Sequence, residues 1–189
     1  MASIQIHIVI GEEFLKQNKN INKKEFMAGI IETDIINDGK MHYSTYKDKT
    51  NLKDYLKNKV NLKKFLEENK IDNNYNKGVF LHLITDYLFF NDFFDSNYLD
   101  NITYSNFCKD LYYSYPICTK ILEEIYGSIN YYGYLKTIEQ DIAKSRKEKA
   151  ININEIRNNI LEKEKILTFI NRLKNINLEE YQAGILADN

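Results

Sequence analysis

The chain has three histidines in 189 residues, His7, His42 and His82, and all of them fall in its first half. His82 sits in GVFLHLITDYLFF, residues 78–90, the most apolar run of the sequence, and Asp86 follows it at i+4. Four residues turn a helix about 40° past a full circle, so these two side chains project from one face. In a helix built for burial both must shed water, which is costly for an imidazole and a carboxylate without partners. A divalent cation answers that cost, because it neutralises the carboxylate and takes the imidazole lone pair. Zinc accepts both donor types in tetrahedral sites. Asp34, near the end of an earlier apolar segment, and His42 on the polar stretch after it complete a four-donor set. Its order along the chain is Asp34, His42, His82, Asp86. The plainer alternative is a hydrogen-bonded His82–Asp86 pair, with His7 satisfied by a backbone carbonyl and His42 exposed on its loop.

Positioning these residues is a task for helices. Apolar residues recur at helical spacing over His7–Leu15, Phe26–Ile36 and Leu52–Val60, and Asn61 opens a fresh segment with Leu62, Phe65 and Leu66. The segment at about 76–90 is apolar nearly all round, the mark of a central helix that others wrap. Further helices are expected at Ser105–Tyr113, Pro116–Tyr126, Asn130–Lys149, Asn154–Leu167 and Leu178–Ala187, with Pro116 in a first turn and Gly127 as a stop. Residues 37–51 (NDGKMHYSTYKDKTN) are polar and turn-rich, so His42 is expected on a loop carried by a rigid scaffold. The expectation is an all-α, single-domain helical bundle over residues 1–189, with its metal site in residues 1–95.

Bulk composition narrows the classes. A formal net charge of −1 supplies no long-range field for nucleic acid or an anionic membrane, so a phosphate must be held locally. The basic run Lys144–Lys149 reads as a solvated helix face. His82 and Asp86 interrupt the best apolar stretch, so no transmembrane span is expected. The opening MASIQIHIVIGEEF lacks a basic leader region and reads as no secretory signal. Cys108 and Cys118, outside any C-x-x-C pattern, suit two buried thiols in a reducing compartment, and the expected location is cytoplasmic.

Taken together, HIVIGEEFL from His7, AGIIETDII around Asp34, KMHYS around His42 and YNKGVFLHLITDYLFF with His82 and Asp86 resemble the zinc-dependent phospholipase C family, whose superfamily includes single-strand nucleases. The resemblance covers about residues 3–95. It implies an all-α bundle that hydrolyses phosphodiesters at a zinc cluster. Asp34, His42, His82 and Asp86 would form a first metal site, and His7 with Asp86 as a bridging carboxylate would contribute to a neighbouring one. Asp34 would orient or deprotonate the attacking water. Thr33 stands where the family has Pro before the Asp, and no histidine follows His82 to supply the family's later H-x-x-x-E ligands. Nor does a chain beginning MASIQ offer the amino-terminal zinc ligand of the mature secreted enzymes. Glu123, Glu124, Glu139 or Asp141 are the carboxylates left to substitute, and no spacing selects among them. One zinc ion, or two, is therefore expected, with a phosphodiester or phospholipid as substrate. Tyr43, Tyr46 and Lys47 lie beside His42 and are candidates to meet a phosphate, although tyrosines this abundant are more often packing residues.

The other expectation is a non-catalytic binding or scaffolding bundle that keeps a structural or vestigial metal site. H-E-x-x-H, E-x-x-H, an adjacent His-Asp pair, a glycine-rich phosphate loop and G-x-S-x-G are all missing, which sets aside zincins, di-iron bundles, HD phosphohydrolases, P-loop enzymes and serine hydrolases.

Overall fold

The computed structural model describes residues 2–35, 40–44, 46–127 and 157–187. Within them the chain is all-helical. Helix α1 (Ile4–Gln17) starts at a Ser3 cap whose hydroxyl accepts the Ile6 N–H, and α2 (Lys23–Ile35) follows after a short turn. A single 3-10 turn, Lys40–His42, carries His42 at its end. Short helices α3 (Leu52–Lys57) and α4 (Leu62–Glu68) then lead into the long α5 (Asn74–Asp92). The asparagines that enrich the sequence act here as punctuation. Asn51, Asn61 and Asn73 cap α3, α4 and α5 by accepting the N–H groups of Asp54, Lys64 and Asn76.

Helix α5 buries residues on every side, from Gly78 and Val79 through to Phe90, as the apolar run predicts. Its closest companion is α2, and α1, α3 and α4 pack around the pair. Beyond it, α6 (Ser96–Asp100), α7 (Tyr104–Tyr126), α8 (Lys163–Leu173) and α9 (Leu178–Ala187) close the bundle. Helix α8 contributes the stripe Ile166, Phe169, Ile170 and Leu173, the i, i+3, i+4, i+7 pattern of a one-faced helix. Among the described residues no helix is long and apolar enough to cross a membrane.

Two expectations are corrected. The segments Ser105–Tyr113 and Pro116–Tyr126 are one continuous helix, with Pro116 in its interior rather than in a first turn. Proline removes the helical bond to the carbonyl four residues back, that of Tyr112, but Pro116 lies on the exposed side of the helix and its ring displaces no core packing. The buried face, Phe107, Leu111, Ser114, Cys118 and Leu122, runs unbroken past the proline and holds the helix together. The helix expected over Asn154–Leu167 instead begins at Lys163. Residues 157–162 are non-helical because their polar backbone bonds to α7: the Ile160 N–H donates to Ser114 Oγ at 2.9 Å. That leaves Leu161 fully buried as an anchor. The helix expected at Asn130–Lys149, with the basic run, lies outside the described residues. Gly127 ends α7 with a φ of 77°, a conformation glycine adopts without strain. Of the two thiols Cys118 is buried, whereas Cys108 is only half-buried.

Candidate metal centre

The site is assembled by three helices and one turn. Helix α1 supplies His7, the last turn of α2 supplies Asp34, the 3-10 turn supplies His42, and α5 supplies His82 and Asp86. Each element is fixed by something visible. The His42 carbonyl accepts the Asn61 N–H at 3.0 Å, which ties the turn to the start of α4. The next residue, Tyr43, takes a left-handed φ of 59° and packs its ring edge-on against Phe65, while its hydroxyl accepts from Asn69 at 3.0 Å. Tyr43 is thus a clamp for the His42 turn, and Tyr46 stands at the surface.

All five side chains named from the sequence meet. His42 Nε2 and His82 Nε2 are 3.3 Å apart. Asp34 Oδ1 lies 3.6 Å from the first and 3.4 Å from the second. On the other side Asp86 Oδ2 lies 2.9 Å from His42 and 3.7 Å from His82. Donor atoms of these four residues all fall within 4.8 Å of one another. Donors held about 2.0–2.1 Å from one central ion, at the corners of a tetrahedron, stand about 3.4 Å apart. The observed spacings scatter around that edge length, so the buried cluster has the size and donor types to hold a metal ion.

Hydrogen bonding alone serves this cluster poorly. At 3.7 Å His82 and Asp86 are too far apart for the simple pair, so the plainer alternative for that motif does not hold. His7 Nδ1 and Nε2, His42 Nδ1, Asp34 Oδ1 and Asp86 Oδ2 are buried without an aligned hydrogen-bond partner among the described residues. Native proteins leave few such atoms, and each calls for an explanation. Among the described residues no backbone carbonyl satisfies His7. Its ring instead lies flat on that of His82, with centroids 3.7 Å apart and planes within 4°.

One ring nitrogen is settled. His82 Nδ1 lies 2.7 Å from the Ile30 carbonyl, and a carbonyl only accepts, so Nδ1 carries a proton. This is the outer hydrogen bond that metal-bound histidines characteristically make, and it turns Nε2 toward the cluster. Asp86 divides its two oxygens. Oδ2 faces His42 and His82, whereas Oδ1 lies 3.3 Å from His7 Nε2 and accepts the Ala2 N–H at 2.7 Å. Ala2 was not among the residues named from the sequence, since a backbone N–H leaves no residue signature. The contact holds the residue before the Ser3 cap of α1 against the centre.

Electrostatics follow the same arrangement. Burial pulls His82 down, but the Asp34 and Asp86 carboxylates together outweigh it and hold it up at about 10. Burial and the neighbouring His82 keep His7 below its ordinary value, hence neutral. Asp86 is held well below the usual carboxylate range: burial opposes this, and His7, His42 and His82 overcome it. Both carboxylates are therefore ionised around imidazoles, a concentration of negative charge suited to a cation. Glu123 and Glu124 are exposed on α7 and are not part of the donor group, and Glu139 and Asp141 lie outside the described residues.

No family model, curated protein or solved structure matches the chain.

Proposed function

We propose that the chain is a zinc-dependent hydrolase of phosphodiesters, akin to the phospholipase C family that its first half resembles. The observation that carries this reading is the convergence of two imidazole Nε2 atoms and two carboxylate oxygens, each nitrogen 2.9–3.7 Å from the other nitrogen and from both oxygens. Ligation would displace the proton that the carboxylates hold on His82 Nε2, and two carboxylates with two neutral imidazoles would then cancel a divalent ion, which lets the centre sit in an apolar core. Mixed nitrogen and oxygen donors at tetrahedral spacing suit zinc better than magnesium or calcium, which favour oxygen shells.

Asp34 gives the centre its open side. Its side chain is 13 % exposed, while those of His82 and Asp86 are fully buried. A substrate approaching from solvent meets Asp34 first, so Asp34 is the group to orient or deprotonate a water there. When bound, the ion supplies a Lewis acid for the phosphoryl oxygen and lowers the pKa of a water in its shell. His7 and the second oxygen of Asp86 provide donors for a neighbouring ion, which makes the expected stoichiometry one or two. The free thiols are consistent with a cytoplasmic setting.

A structural role for the ion is favoured by one feature, that four protein donors fill a tetrahedral shell. Two measurements separate these readings. Elemental analysis of the purified protein should find at least one equivalent of zinc. Hydrolysis of bis(p-nitrophenyl) phosphate should then occur and stop on chelation. Bound zinc without chelator-sensitive hydrolysis selects the structural role, and absence of any metal removes both.

A further inference from the structure

The α2–α5 contact is a crossing of bare backbones. A Cβ added to Gly78 would run into the Phe26 carbonyl oxygen and lie 2.9 Å from its carbon. One added to Gly29 would run into the Tyr75 carbonyl oxygen and lie 2.9 Å from the Val79 nitrogen. Backbone atoms in the middle of helices cannot rotate aside, so neither position has room for even a methyl group. Helices ordinarily pack with axes about 8–10 Å apart because side chains fill the space between them. With hydrogen in place of a side chain at both positions, α2 and α5 approach more closely.

This crossing lies beside the metal centre on both helices. His82 follows Gly78 by four residues, about 6 Å along α5, and Asp34 follows Gly29 by five, about 7.5 Å along α2. Between them runs the bond from His82 Nδ1 to the carbonyl of Ile30, the residue next to Gly29. At 2.7 Å that bond has little slack. Moving α2 outward by on the order of 1 Å takes it beyond hydrogen-bonding distance. The same movement lengthens the 3.4 Å separation of His82 Nε2 and Asp34 Oδ1, the edge of the donor set that spans the two helices.

We propose that the Gly29–Gly78 crossing is the gauge of the metal centre: it holds Asp34 at the separation from His82 and Asp86 that a small ion requires, and so sets the ion size the site accepts. The inference rests on the reading of the cluster as a metal site. Gly29 and Gly78 are positioning residues, since neither reaches the ion.

The test compares Gly78→Ala and Gly29→Ala with Gly11→Ala. Gly11 is also buried, but a Cβ there meets the side-chain tips of Ile30 and Met27, which can swing away. Zinc and cadmium affinities are measured by competition with a chromogenic chelator, on protein whose metal-free fold is checked by circular dichroism. The gauge predicts at least a tenfold loss of zinc affinity in Gly78→Ala and Gly29→Ala. Affinity for the larger cadmium ion should fall less, so the zinc-to-cadmium ratio drops, whereas Gly11→Ala keeps the wild-type ratio. A wild-type ratio in the folded Gly78 and Gly29 variants overturns the gauge and leaves the metal site standing. Wild-type protein that binds neither ion overturns the metal site itself. Should the variants not fold, nitrogen-15 spectra of zinc-loaded wild-type protein decide: His82 must carry a slowly exchanging proton on Nδ1, and a bare or freely exchanging Nδ1 overturns the proposal.

Discussion

His7 and His82 lie face to face, their rings 3.7 Å apart and within 4° of parallel, although 75 residues separate them in the chain. The stack joins α1 to α5 at the centre and places His7 over Asp86 Oδ1 rather than among the donors around Oδ2. His7 is thus the member whose removal distinguishes one ion from two. His7→Phe keeps a flat ring against His82 and deletes both nitrogens. If the centre takes a pair of ions, the metal-to-protein ratio by plasma emission spectroscopy falls from two to one. If it takes a single ion, the ratio stays at one.

His82→Ala should bring bound metal to near zero and destabilise the fold. It deletes the imidazole beside Asp34 and its bond to the Ile30 carbonyl, and leaving buried polar groups unsatisfied costs about 1–3 kcal/mol each. Denaturant unfolding with parallel metal analysis checks it. Full metal content in this variant would remove His82 from the ligand set.

Asp34→Asn should separate chemistry from folding. The substitution keeps the shape of the side chain but removes the carboxylate that helps hold buried His82 protonated, so the metal-free protein should still fold and should melt at a somewhat lower temperature. Loss of the charge should weaken zinc binding and cut chelator-sensitive phosphodiester hydrolysis about 100-fold or more. The hydrolysis rate at saturating zinc is the deciding measurement.

Cys118 gives a pH dependence independent of the centre. Burial raises its thiol to about 12, against about 8.5 for an exposed cysteine. A raised thiol favours the folded chain fully below the unfolded value of about 8.5. That contribution is lost as pH climbs from there toward 12, because the unfolded chain ionises first. Native protein at pH 8 should therefore react with a disulfide reagent at the half-buried Cys108 well before Cys118. Denaturant melts should weaken above pH 8.5 in wild type, and by up to one proton less steeply in Cys118→Ala.

Pro116→Ala should stabilise the protein. The change restores a backbone N–H to the interior of α7 at an exposed position. A gain of about 1 kcal/mol is expected, less than the full helix-interior penalty because proline also restricts the unfolded chain. Thermal melting reads it directly.

Much of the first half was legible because its signals are local. The apolar run of α5 announces burial, His82 and Asp86 share a face by spacing alone, and Asn61 opens α4 as its position suggests. The convergence of Asp34 and His42 on that face was suggested by residue type and by the family resemblance. Three features were not legible. The Ala2 contact is made by backbone, the glycine crossing depends on which helix lies opposite, and the persistence of α7 through Pro116 depends on which side of the helix meets water. Each is a relation between elements, and a one-dimensional pattern records only what lies within an element.

The empty space that Gly29 and Gly78 leave for each other also constrains how this chain can diverge. Any larger residue at either place collides with main chain, so substitution elsewhere is free to accumulate while these two stay fixed. Distant kin should then be recognisable by intervals rather than by overall likeness: glycine five positions before an aspartate, and glycine, histidine and aspartate at successive steps of four.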